Sequence, residues 1–184
     1  MSLKNLFKYS LPVIVALLIL SLAGCRSQNK PESSPAGIVD LSMKEQQMPS
    51  FNLPSPLSED SLTSSDSLHG KVVLVSFFAS WCRSCLEEIP LLKKMQNRFA
   101  DKDFVLLAIA VDKENKSGLK NLIQKQNINY PVLLADEAVK KDFGGIAILP
   151  TMFLVDRKGK LYKKYSGHIK RDSLIRDIQQ LLKL

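Results

Sequence analysis

One junction constrains the fold more than any other feature. The run Val72-Val73-Leu74-Val75-Ser76-Phe77-Phe78 leads almost directly into Trp81-Cys82-Arg83-Ser84-Cys85. A β-branched and aromatic run without polar alternation fits a strand buried on both faces. From Arg83 the spacing becomes helical, with Leu86, Ile89, Leu92, Met95 and Phe99 near one stripe. The two cysteines therefore stand where a buried strand gives way to a helix N-terminus. Unpaired N–H groups and the positive end of the helix dipole favour a thiolate there. Cys82 is placed as the nucleophile, with Arg83 adding positive charge and Trp81 shielding one flank. Cys85, three residues on, is close enough for a disulfide and for a resolving attack.

Competing uses of the pair are weaker. Zinc needs three or four ligands, and the remaining candidates, His69 and His168, lie far apart and read as surface residues. A purely structural disulfide over so short a loop would stabilise little. The basic residues are spread singly and in pairs rather than gathered with aromatics, so no nucleic-acid partner is expected.

The rest of the chain reads as one domain. Phe51–Leu53 and Leu57–Leu62 suit short edge strands, and Ser65–Gly70 a turn or a helical turn. Phe104–Val111 is a second buried strand, 116–126 a helix, Pro131–Ala135 a strand and 137–143 a short helix. Thr151–Asp156 and Lys160–Ser166 flank a turn at Arg157-Lys158-Gly159. A helix over 171–183 closes the chain. This order predicts an α/β fold, a mixed sheet with helices on both faces.

The N-terminus has a separate function. Lys4 and Lys8 precede an apolar stretch, Leu11–Leu22, that is too short to span a bilayer. Leu22-Ala23-Gly24-Cys25 then resembles the bacterial lipoprotein lipobox. That resemblance implies cleavage after residue 24 and a lipid on Cys25. Loss of Lys4 and Lys8 takes the net charge from +8 to +6. Residues 26–47 have the composition of a flexible tether with a reach of about 25 Å. The expected organisation is a signal peptide over 1–24, a lipid-anchored linker over 25–47 and a folded domain over 48–184. The protein is then extracytoplasmic, on the periplasmic face of either membrane or the outer face of a single one.

Around the cysteines the sequence resembles the thioredoxin superfamily. Val73–Cys85 looks like that family's strand and active-site turn. Pro90 matches its helix-kinking proline, and Leu149-Pro150-Thr151 its cis-proline loop. The lipoprotein format, the Phe51–Gly70 lead-in and the segment between Asp112 and Phe143 look most like the TlpA/ResA branch. The resemblance implies a thioredoxin-like fold with an N-terminal β extension and a helix-strand insert. It also implies disulfide reduction outside the cytoplasm, often for cytochrome c maturation. Trp81, Leu149, Pro150 and Thr151 would hold the substrate. Thioredoxins carry a buried aspartate where Ser76 stands, and Ser76 cannot accept a proton at neutral pH. In the ResA branch a buried glutamate serves instead, and Glu114 is the nearest match. The expected partners are thiols and disulfides of exported proteins and a membrane thiol donor. The protein would be a monomer using no metal or other cofactor beyond the Cys82–Cys85 pair. An oxidase of the same fold and a copper chaperone remain as alternatives.

Overall fold

The computed structural model describes residues 46–58 and 60–183. The expected leader, Cys25 and the expected linker up to residue 45 lie outside the described residues. β1 (Asn52–Pro54) and β2 (Leu62–Ser64) pair antiparallel as a lead-in. β3 (Val72–Phe78), β4 (Phe104–Ala110), β5 (Val132–Leu134), β6 (Thr151–Val155) and β7 (Leu161–Ser166) form one sheet in the order β5-β4-β3-β6-β7. The β3–β4 and β4–β5 pairs are parallel, and the β3–β6 and β6–β7 pairs antiparallel. The helices are α1 (Arg83–Arg98), α2 (Lys116–Lys125), α3 (Glu137–Asp142) and α4 (Arg171–Leu182).

Every residue of β3 is buried, which explains the missing polar alternation. Successive side chains point to opposite faces. Val72, Leu74 and Phe78 join one core with Leu92, Met95 and Phe99 from α1 and its C-terminal end and with Leu174 and Ile178 of α4. Val73, Val75 and Phe77 join the other with Leu53, Val139, Phe143 and Phe153. In that second core Phe77, Phe143 and Phe153 meet edge to face, with ring centroids 4.9–6.0 Å apart.

One expected strand is displaced. Leu57–Leu62 does not pair along its length; only Leu62 does, as the first residue of β2. Pro54 and Pro56 remove backbone donors, and the Ser55 hydroxyl accepts the Leu57 N–H at 3.2 Å. Ser55 N–H instead donates to Ser61 O at 3.1 Å. The predicted turn at Ser65 is a 3-10 helix, Ser65–Leu68, capped by the Ser64 hydroxyl.

The β6–β7 hairpin forms where expected. The Asp156 carboxylate accepts the N–H groups of Lys158 and Lys160, and Gly159 takes φ +78°. The chain enters the fold against this hairpin. Met48 N–H donates to Gly159 O and Leu161 N–H to Gln46 O, both at 2.8 Å.

Replacing Phe153 with alanine removes one ring of the three-ring cluster. We expect a loss of about 3–5 kcal/mol in unfolding free energy, measured by urea denaturation. A loss below about 1 kcal/mol would mean the face collapses around the gap.

Candidate active site

β3 ends at Phe78, and the chain turns sharply, with Cys82 N–H donating to Ala79 O at 3.2 Å. Cys82 is the N-cap of α1, and its sulfur accepts the Cys85 N–H at 3.3 Å. A side-chain sulfur at this position satisfies one of the free donors at the start of the helix. Cys82 and Cys85 are joined as a disulfide, and both are buried. The Ser84 hydroxyl lies 3.5 Å from the Cys82 sulfur. Arg83 points away into solvent and pairs with Glu87 at 3.1 Å. Its charge lies in solvent, where it is screened, and the free N–H groups at the helix terminus are what favour a thiolate at Cys82.

The Leu149–Pro150 peptide bond is cis. Pairing of Thr151 with Phe77 across β6 and β3 brings Pro150 to the cysteine end of β3. The Thr151 hydroxyl donates to Ile148 O at 2.8 Å and braces this loop. Trp81, Cys82, Val111, Ile146 and Leu149 line an open groove of about 760 Å³. Trp81 is 72% exposed and Ile148 58%, so the cysteine pair is flanked by bare apolar surface. Trp81 offers an exposed ring for contact beside the buried pair.

The expected carboxylate is in the wrong place. Glu114 sits on an exposed 3-10 turn, Lys113–Asn115, after β4 and faces solvent. The buried carboxylate is Glu88, one helical turn beyond Cys85. Cys85, Glu88, Ser76, Tyr130 and Pro150 share a narrow cleft of about 10 Å³, close to the room one water needs. Glu88 Oε1 accepts the Ile169 N–H at 3.4 Å, and Oε2 is buried without a partner. Burial pushes the Glu88 carboxyl up to about 7, against the smaller downward pull of the Ile169 N–H. Burial, and then the charge of Glu88, also raise the Tyr130 phenol above its ordinary range.

A signal for Glu88 was present in the spacing. Positions 85, 88, 92, 95 and 99 recur every three or four residues, which puts Glu88 on the buried stripe. Glu87 beside it is off that stripe and exposed. His69 and His168 are exposed. Among the described residues no three His, Cys, Asp or Glu side chains cluster to hold a metal.

The Redoxin family pattern matches residues 43–182. The thiol-disulfide oxidoreductase ResA of Bacillus subtilis (strain 168) is 30% identical over 116 residues, 63% of this chain and 64% of that protein. The chain thus spans just under two thirds of the length of that relative. The thiol:disulfide interchange protein DsbE of Pseudomonas fluorescens biotype C is 35% identical over 139 residues, 73% of this chain and 75% of that one. A solved thiol:disulfide interchange protein of the thioredoxin family, from Chlorobium tepidum TLS, superposes with a TM-score of 0.67 at 33% identity. It covers 74% of this chain and 95% of its own. The fold is therefore thioredoxin-like.

Glu88 makes stability depend on pH with a definite sign. Below the ordinary value of 4.5 the carboxyl is neutral in both folded and unfolded chains. As pH rises from 4.5 to about 7 the unfolded chain ionises and the folded one resists, so stability falls across that window. We expect a loss on the order of 3 kcal/mol across that window, at about 1.4 kcal/mol per pH unit. Glu88→Gln should flatten it in urea titrations of the oxidised protein at pH 4 and pH 8.

Proposed function

This chain belongs to the redoxin family, and on that premise we propose that it is an exported, lipid-anchored thiol–disulfide oxidoreductase that reduces disulfides in exported proteins. The observation that carries the reading is the Cys82–Cys85 pair at a helix start, beside a cis-proline loop and an open groove. The groove gives a substrate chain access to Cys82 while Cys85 stays buried behind it.

In the reduced protein the Cys82 thiolate attacks one sulfur of a substrate disulfide, and the other sulfur leaves as a thiolate. A mixed disulfide joins substrate to Cys82. Cys85 then loses its proton and attacks the Cys82 sulfur, which expels the substrate as a dithiol and leaves the Cys82–Cys85 disulfide. Glu88 is the group we assign to that proton. It shares a cleft with Cys85, and a carboxyl that titrates near 7 accepts and returns protons at neutral pH. Glu114, in solvent, has no such path. Trp81, Leu149, Pro150 and Thr151 hold the substrate chain in extended form. The pair itself is the only redox group this cycle needs, and a membrane thiol donor resets it. Substrates of cytochrome c maturation fall within this class.

Residues 1–24 direct export, lipid on Cys25 anchors the chain, 25–47 tether it, and 48–184 carry the chemistry. Several acyl chains hold a protein at a membrane where one does so only marginally. The second reading, a thiol oxidase, draws on the Cys85 N–H bonded to the Cys82 sulfur. A stabilised thiolate makes the couple more oxidising, and a potential near about −120 mV would decide for that direction.

Cys85→Ser blocks resolution, so we expect it to trap substrates covalently on Cys82 in envelope extracts. A gel without thiol-sensitive adducts would remove the mechanism. Cys25→Ala should move the protein from the membrane fraction to the soluble one. Retention in the membrane would mean the anchor is something other than lipid on Cys25.

A further inference from the structure

The segments that leave β3 and β4 are joined behind the cysteine pair, and we propose that Asp112 is a positioning residue for the reaction at Cys82. The inference rests on the thiol–disulfide reading of the site. β3 and β4 are parallel with Phe78 beside Ala110, so the chain leaves both strands side by side. The last main-chain rung is Val111 N–H to Phe78 O, at 2.9 Å. Beyond it, side chains take over. Asp112 Oδ2 accepts the Ser80 N–H at 2.9 Å and also the Ser80 hydroxyl. Asn115 Nδ2 donates to Ser80 Oγ at 3.1 Å, while its Oδ1 accepts the Gly118 N–H at 3.1 Å at the start of α2. Ser80, two residues before Cys82, is thus fastened to the β4–α2 connection from two sides.

Two further observations show that this latch constrains its own members. Asp112 Oδ1 is buried without a partner. Shielding one carboxylate oxygen from solvent is the cost of aiming the other at Ser80. A Cβ on Gly118 would lie 2.4 Å from the Asn115 amide. Glycine at 118 is what lets Asn115 cap α2 and reach Ser80 together.

The latch matters because disulfide closure is intramolecular. Closure needs the Cys85 sulfur to meet the Cys82 sulfur in line, and its probability depends on where the Ala79–Cys82 turn is held. A loosened turn lowers the effective concentration of one sulfur at the other. The equilibrium then moves toward the dithiol, with glutathione disulfide as the oxidant left unconsumed.

The test equilibrates the full chain with glutathione and reads the polarisation anisotropy of Trp81, the chain's single tryptophan. Variants are Ser80→Ala, Asp112→Ala, their double, Ser80→Thr and Gly118→Ala. Ser80→Ala keeps the Asp112 charge, so its effect is geometric. We expect Ser80→Ala and Asp112→Ala each to shift the equilibrium about tenfold toward the dithiol, about 30 mV, and to lower the Trp81 anisotropy. The double variant should shift no further than one single. Ser80→Thr should retain the wild-type value. Gly118→Ala should give a smaller shift of the same sign by displacing only the Asn115 side chain. A Ser80→Ala equilibrium within twofold of wild type overturns the proposal. So do strictly additive effects, or shifts that merely track urea midpoints with Phe153→Ala on the same line. If the wild-type pair fails to exchange with glutathione, the thiol–disulfide reading falls. The latch is then still decided by anisotropy, and unchanged values in Ser80→Ala and Asp112→Ala overturn it.

Discussion

The antiparallel pairing of β6 with β3 is the interaction on which the site depends. Cys82 and Pro150 are far apart in sequence, and neither makes a redox site alone. Five paired positions, from Val73–Val155 to Phe77–Thr151, bring the start of β6 to the end of β3. A slip of one residue would turn every β6 side chain to the opposite face. Phe153 would then leave Phe77 and Phe143, and Met152 would leave the core on the α1 side. The packing of two cores thus fixes the register, and the register fixes the distance between the loop and the cysteines. Catalytic geometry here follows from burial of apolar side chains well away from sulfur.

Charge near the pair is arranged by depth. At the surface Arg83 and Glu87 face one another, an exposed i,i+4 pair that contributes little. Below the disulfide the reverse holds, because Glu88 is alone, with one backbone donor and one bare oxygen. A buried carboxyl in that condition prefers to be neutral. Burial thus favours the protonated carboxyl at Glu88, in the cleft where the sheet residue Ser76 offers only a hydroxyl. Stability lost to an awkward carboxyl is a common mark of a group kept for its chemistry.

Much of this was legible in the sequence, for reasons that differ by residue. Val72–Phe78 announced itself because a strand covered on both faces has no polar side to show. The cysteine pair was legible because only a strand-to-helix junction gives a thiolate its free N–H groups. Pro150 stood out only in company with that pair. Glu88 was missed because only the apolar residues of the helix were followed, and the three- and four-residue steps from Cys85 were not. Glu114 was chosen from its place after a strand, and position along the chain says nothing of depth. The Leu57–Leu62 segment misled because apolar ends suggested a strand while Pro54, Pro56 and the Ser55 hydroxyl had already removed its pairing. Asp112 and Ser80, 32 residues apart, are joined by parallel register alone, which no local pattern encodes.

The entry of the chain has a consequence for approach. Gln46 and Met48 bind the β6–β7 hairpin, at the end of the sheet where β3 begins. Cys82 lies past the other end, across a seven-residue strand, or roughly 23 Å at about 3.3 Å per residue. Gln46 therefore stands at the opposite pole of the sheet from the sulfur atoms. The segment that braces the hairpin takes no part in lining the groove beside Cys82, so the cysteine end of the sheet is left to whatever approaches it.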